Sequence, residues 1–143
     1  MKSYPEMIAE GMKRTFFSEG LISSKTAKSI EKDDFSFESP EEAKRAAQVT
    51  DKFMQALKKS KLDVVASNAY DNADASGNYS SLNKEVEQIK AKVARRGASL
   101  SDEDVDLLAS VFADEDFAEM LVADAQKAKM NLWPGFFTDN NDI

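Results

Sequence analysis

The 143-residue chain contains neither cysteine nor histidine. Without cysteine there is no disulfide framework, zinc–thiolate site, iron–sulfur cluster, redox dithiol or thiol nucleophile. Without histidine there is no imidazole ligand, no histidine general base and no Ser-His-Asp triad. Any catalysis would fall to carboxylates, lysines, tyrosines and hydroxyls, as in some glycosidases and Ser-Lys enzymes. The five glycines are widely separated and form no phosphate loop, dinucleotide fingerprint or nucleophile elbow. The chain reads as non-enzymatic, with no cofactor and no metal.

No segment approaches the ~20 apolar residues of a membrane span. The first seven residues place Lys2 and Glu6 among the apolar ones, which breaks the apolar run of a signal peptide. These absences predict a soluble protein with no membrane contact, cytoplasmic or carried within a viral particle.

Five glycines and three prolines are too few for the many tight turns of a β-sandwich or barrel, and they stand where helices begin or end. The fold expected is all-α: a compact bundle of about five or six helices forming one domain over 1–143, with an aromatic and polar tail from 130. Ile8, Met12 and Phe16 mark a helix from Tyr4 to Ser18, and a second runs from Ser24 to Lys32. Ser39-Pro40-Glu41-Glu42 has the form of a capping box, with Glu42 reaching back to the Ser39 amide, and opens a long helix to about Lys59. Leu62 to Tyr70 leans helical. Asp71 to Asn78 is dense in turn formers and predicts the main loop. It echoes the start of a calcium loop, but Asn83 stands where a bidentate Glu is needed and Tyr79 where an aliphatic residue is usual, so an ordinary surface loop is expected. Ser80 or Ser81 then caps a helix to about Arg96, closed by Gly97, with a narrow seam of Leu82, Val86, Ile89 and Val93. Ser101 and Asp114 cap two further helices, the last ending near Lys129.

Charge is unevenly distributed. The nets are −1 over residues 1–39, +3 over 40–100 and −9 over 101–143; within 101–124 there are nine acids and no base. Such a run is most simply a solvated face. Its functional reading is a docking surface formed by Asp102, Glu103, Asp106, Asp114, Glu115 and Asp116, for a basic partner or another copy of the chain. A sharper variant makes it a mimic of nucleic-acid phosphate, acting as an inhibitor. Lys90, Lys92, Arg95 and Arg96 form a basic cluster that suggests a nucleic-acid-binding accessory protein. No helix-turn-helix, RNA-recognition or zinc-knuckle pattern accompanies it, so nucleic acid is the minor alternative.

Trp133, Phe136 and Phe137 lie within five residues, and each can bury ~150–250 Å². The tail either folds back to plug the end of the bundle or inserts into a neighbour as an anchor. The preferred reading is a protein-interaction or assembly component, an adaptor, structural subunit or small regulator. The acidic helices steer its association, and the aromatic tail anchors it.

Overall fold

The computed structural model describes residues 20–33 and 36–138. The helix expected over Tyr4 to Ser18 lies outside them. The described residues form helices joined by short connections and contain no strand: α1 (Ser24–Glu31), α2 (Pro40–Ser60), α3 (Leu62–Ser76), α4 (Tyr79–Lys92), a π-helical turn (Val93–Gly97), α5 (Asp102–Phe112), α6 (Glu115–Lys127) and the short α7 (Pro134–Thr138).

Helix α2 is the central element, packing against α1, α3, α5 and the π-turn. Pro40 occupies its first turn, and the Ser39 hydroxyl accepts from the Glu42 amide at 3.1 Å. The Glu42 carboxylate accepts from Glu38 N–H at 3.1 Å, one residue earlier than the capping-box form expects. Its inner face buries Ala43, Ala46, Ala47, Val49, Phe53, Met54 and Leu57. The alanines at its start leave room for close helix approach, and each fully buried large side chain contributes about 1.5–3 kcal/mol.

Helix α3 runs through the stretch expected to be the main loop. Ala66 and Ala73 are buried with Leu62 and Ala69 partly so, a spacing of 4, 3 and 4 that makes a helical stripe against α4. Asp71, Asn72 and Asp74 lie on its exposed side, where a turn former costs a helix little once the stripe is packed. The loop shrinks to Gly77 and Asn78. Gly77 takes the left-handed conformation at φ 77°, and its N–H bonds Ala73 O; Asn78, rather than Ser80 or Ser81, caps α4. The α-helix ends at Lys92, and the remainder of the expected helix is the π-turn, closed at Gly97. A side chain at Gly97 would place its Cβ 3.1 Å from Ala56 Cβ, so this turn sits unusually close to α2.

Two buried carboxylates fix the entry to α1. Asp51 of α2, fully inaccessible, accepts from Leu21 N–H at 2.7 Å, Ile22 N–H at 3.0 Å and the Gln55 side-chain amide at 2.6 Å. Asp124 of α6 accepts from Ser23 N–H at 3.0 Å and the Thr26 hydroxyl at 2.7 Å. Buried carboxylates are tolerated when several donors meet them, and here the donors are backbone groups in front of a helix that would otherwise be unsatisfied. The chain can approach Asp51 so closely only because residue 20 is glycine: a Cβ there would lie 2.3–2.6 Å from the carboxylate atoms. Gly20→Ala is expected to displace this contact and lower stability by about 1–3 kcal/mol, read as a lower urea midpoint at unchanged slope. An unaltered midpoint would contradict this account of the α1 entry.

Candidate functional site

The acidic residues are carried by the starts of α5 and α6, each fixed by its own cap: Asp102, Glu103, Glu115 and Asp116 stand in the first turns, Asp106 just beyond one, and Asp114 is itself a cap. The Ser101 hydroxyl accepts from the Asp104 amide at 3.1 Å. Asp114 accepts from the amides of Asp116 at 2.8 Å and Phe117 at 3.2 Å. Carboxylates in these turns meet the positive end of the helix dipole, which allows several to be held close together. Asp102, Glu103, Asp106, Glu115 and Asp116 are exposed, while Asp114 is half-buried by its capping role. Asp102 pairs with Arg95 of the π-turn.

Asp104 turns inward. Arg45 of α2 grips it with two parallel hydrogen bonds, Nε to Oδ1 at 3.0 Å and Nη2 to Oδ2 at 2.8 Å. The Arg45 guanidinium holds the Asp104 carboxyl below the usual carboxylate range, against the opposing effect of burial, and the Arg45 pKa rises in turn. Beside this pair lies a groove of about 570 Å³ between α2 and α5, lined by Glu42, Arg45, Ser101, Glu103, Asp104 and Asp106 among others. Burial pushes the carboxyl of Asp63, at the start of α3, the other way, upward.

The aromatic residues form a continuous series of ring contacts from the core to the surface. Phe53 meets Phe112 at 5.1 Å between centroids, Phe112 meets Phe137 at 5.0 Å, and Phe137 meets Phe136 at 5.1 Å. Phe136 then contacts Trp133 at 5.6 Å, and Trp133 contacts Tyr70 of α3 at 4.5 Å. The first four contacts are edge-to-face, the arrangement that aromatic quadrupoles favour. Phe136 and Phe137 are fully buried in this chain's own core. Of the two placements open to the tail, this is folding back. In this conformation neither phenylalanine is accessible to a partner, whereas half-buried Trp133 and exposed Tyr70 remain at the rim.

Lys90 departs from its expected place in a solvated basic cluster. Its side chain is fully buried, and Nζ donates to Phe137 O at 3.2 Å and lies 5.7 Å from the Phe112 ring centroid. Lysine is rarely buried without compensation, and here the ammonium ties α4 to the tail through a carbonyl and an aromatic face. The cause is the seam itself: Lys90 follows Ile89 and precedes Val93 on a helix flank that the folded-back tail covers. Lys92 and Arg96 stay exposed, and Arg95 is engaged by Asp102.

The segment that echoes a calcium loop is helical through Ser76. Tyr79 donates to Asp74 at 2.7 Å, a bond that pushes the tyrosine pKa up. Among the described residues, no group of three or more acidic side chains is placed to hold a metal ion, and no helix is long and apolar enough to cross a membrane. No protein-family model, curated protein or solved structure matches the chain.

Two outcomes follow from this geometry. The folded-state pKa of Asp104 is depressed, so the stability it contributes is fully present above the ordinary carboxylate range near 4 and is lost as pH falls through the lowered value. Asp104→Asn should cost about 1 kcal/mol at pH 7, with the gap to the parent chain closing in acid; a gap constant from pH 7 to pH 2 would exclude the ion pair as its cause. Phe137→Ala removes a ring at the junction of Phe112 and Phe136 and should cost about 3–5 kcal/mol in chemical denaturation. A loss under 1 kcal/mol would show that the tail does not close the core.

Proposed function

We propose that this chain is a non-catalytic interaction domain that docks a basic protein surface on the acidic starts of α5 and α6. One observation carries the reading: Glu103, Asp106, Glu115 and Asp116 are exposed on two capped helix starts, within a stretch that has no basic residue from 101 to 124. Fixed charges of one sign steer an oppositely charged partner and reject like-charged ones, acting on association rate more than on final affinity. The Trp133–Tyr70 pair at the rim supplies an aromatic contact of the kind enriched at binding hot spots. Phe136 and Phe137 support it from within rather than touching the partner.

The test captures partners on the immobilised full chain at low salt and measures association kinetics with the purified partner. Reversing Glu103, Asp106 and Asp116 to Lys is expected to slow association by about tenfold or more at low salt, with the difference shrinking as salt rises. Trp133→Ala should mainly speed dissociation. Association indifferent to both salt and the three reversals overturns the acidic docking face.

A further inference from the structure

The acidic helices do not account for the opposite charge gathered on α2. From residue 43 to 61 the chain has six basic residues and one acid, Asp51, and that acid is buried, accepting from Leu21, Ile22 and Gln55. The exposed side of α2 therefore presents no carboxylate along this stretch. Lys44, Gln48, Lys52, Gln55 and Lys59 are spaced 4, 4, 3 and 4 apart and share one helix face, with the lysines exposed. At a rise of 1.5 Å per residue the row is about 22 Å long, with a lysine roughly every 10–12 Å.

The fold adds to this row from a distant part of the chain. Gly97 stands against Ala56, a half-buried residue at the edge of that face in the turn between Lys52 and Lys59, and the exposed Arg96 precedes Gly97 in the chain. Among the described residues, Lys44, Lys52, Lys59 and Arg96 take part in no ion pair. Two acids near the row's ends are already engaged, Asp104 by Arg45 and Asp102 by Arg95. Glu41 and Glu42 precede the row in the first turn of α2, and Asp63 follows it, close enough to interact with Lys58. Lys52 and Lys59 lie about 10 and 21 Å beyond Arg45 along the helix, more than a Debye length of ~8 Å at physiological salt. The local charge at this end of α2 is positive although the whole chain is at −7.

We propose that the α2 face formed by Lys44, Lys52, Lys59 and Arg96 binds the phosphate backbone of a nucleic acid. Lysine and arginine donate only, the Gln48 amide can donate through its NH2, and no carboxylate lies on the row from Lys44 to Lys59 to compete with phosphate, which is the composition of backbone-positioning contacts. A linear row fits a linear polyanion, whose strand carries a charge about every 3.4 Å of axis. Base-edge readout has no counterpart here, so binding is sequence-independent. The surface borders the acidic start of α5 through the Arg45–Asp104 and Arg95–Asp102 pairs, but the residues that test the two faces are different, so each can fail without the other.

The experiment is fluorescence anisotropy of labelled 20-nucleotide single-stranded and duplex DNA and RNA, titrated with the full chain at 50 and 200 mM salt. Three to four phosphate contacts predict duplex affinity falling about 40-fold or more across that range. Lys52→Glu/Lys59→Glu/Arg96→Glu should abolish binding, with unchanged circular dichroism and urea midpoint, while Lys25→Glu/Lys127→Glu at other sites retains it. Retention when the three α2-face charges are reversed would overturn the assignment, as would absence of binding by the parent chain at 50 mM salt. So would light scattering that shows the row occupied by a second copy, dissociating on the same reversals, or polyglutamate displacing DNA at equal charge concentration.

Discussion

Phe112 is the point on which the structure depends. Its ring contacts Phe53 of the central helix on one side and Phe137 of the tail on another, with the Lys90 ammonium near its face. These contacts join α2, α4, α5 and α7, elements drawn from nearly a hundred residues of chain. Each ring pair adds about 0.5–1.5 kcal/mol beyond the area it buries, and the lysine introduces a directional bond into a region that packing alone would leave interchangeable. The result is that the C-terminal aromatic segment belongs to the core, and of its three aromatic rings only Trp133, beside Tyr70, meets solvent.

Apart from the exposed Val64, Val65, Tyr70 and Tyr79, the surface is distinguished by charge. Helix starts and ends set its pattern: carboxylates collect where α5 and α6 begin, and lysines collect along α2 and toward its end. The carboxylates of those first turns, and Lys58 and Lys59 in the last turn of α2, agree with the helix dipole, so these charges stabilise the elements that display them. Arg45 with Asp104, and Arg95 with Asp102, join the two regions where they meet. The chain is polarised rather than simply acidic. The two proposed occupants, a basic protein on one face and a nucleic-acid backbone on another, rest on this polarity.

Local signals in the chain mark the helix starts well. Ser39 with Pro40, Ser101 and Asp114 each cap the helix they announce, and the seam of Leu82, Val86, Ile89 and Val93 is buried along its length. A cap or a seam is decided by residues three or four apart, which is why these features can be read directly. The burial of Asp51, Asp124 and Lys90 has no local signature, because the backbone groups that meet them are 29, 101 and 47 residues away. Helix α3 fails for a different reason: Asp71, Asn72 and Asp74 favour a turn locally, while the stripe of Leu62, Ala66, Ala69 and Ala73 favours a helix, and packing against α4 decides between them. The same long-range packing divides the aromatic tail, burying Phe136 and Phe137 and leaving Trp133 at the rim.

The central claim is that the aromatic tail folds as part of the bundle. Trp133 is the only tryptophan, so its fluorescence reports the tail while far-UV circular dichroism reports the helices. Followed together through a urea titration, the two signals should give one coincident transition with the same midpoint and slope. A tryptophan transition completed at lower urea, with the helical signal still intact, would contradict the account.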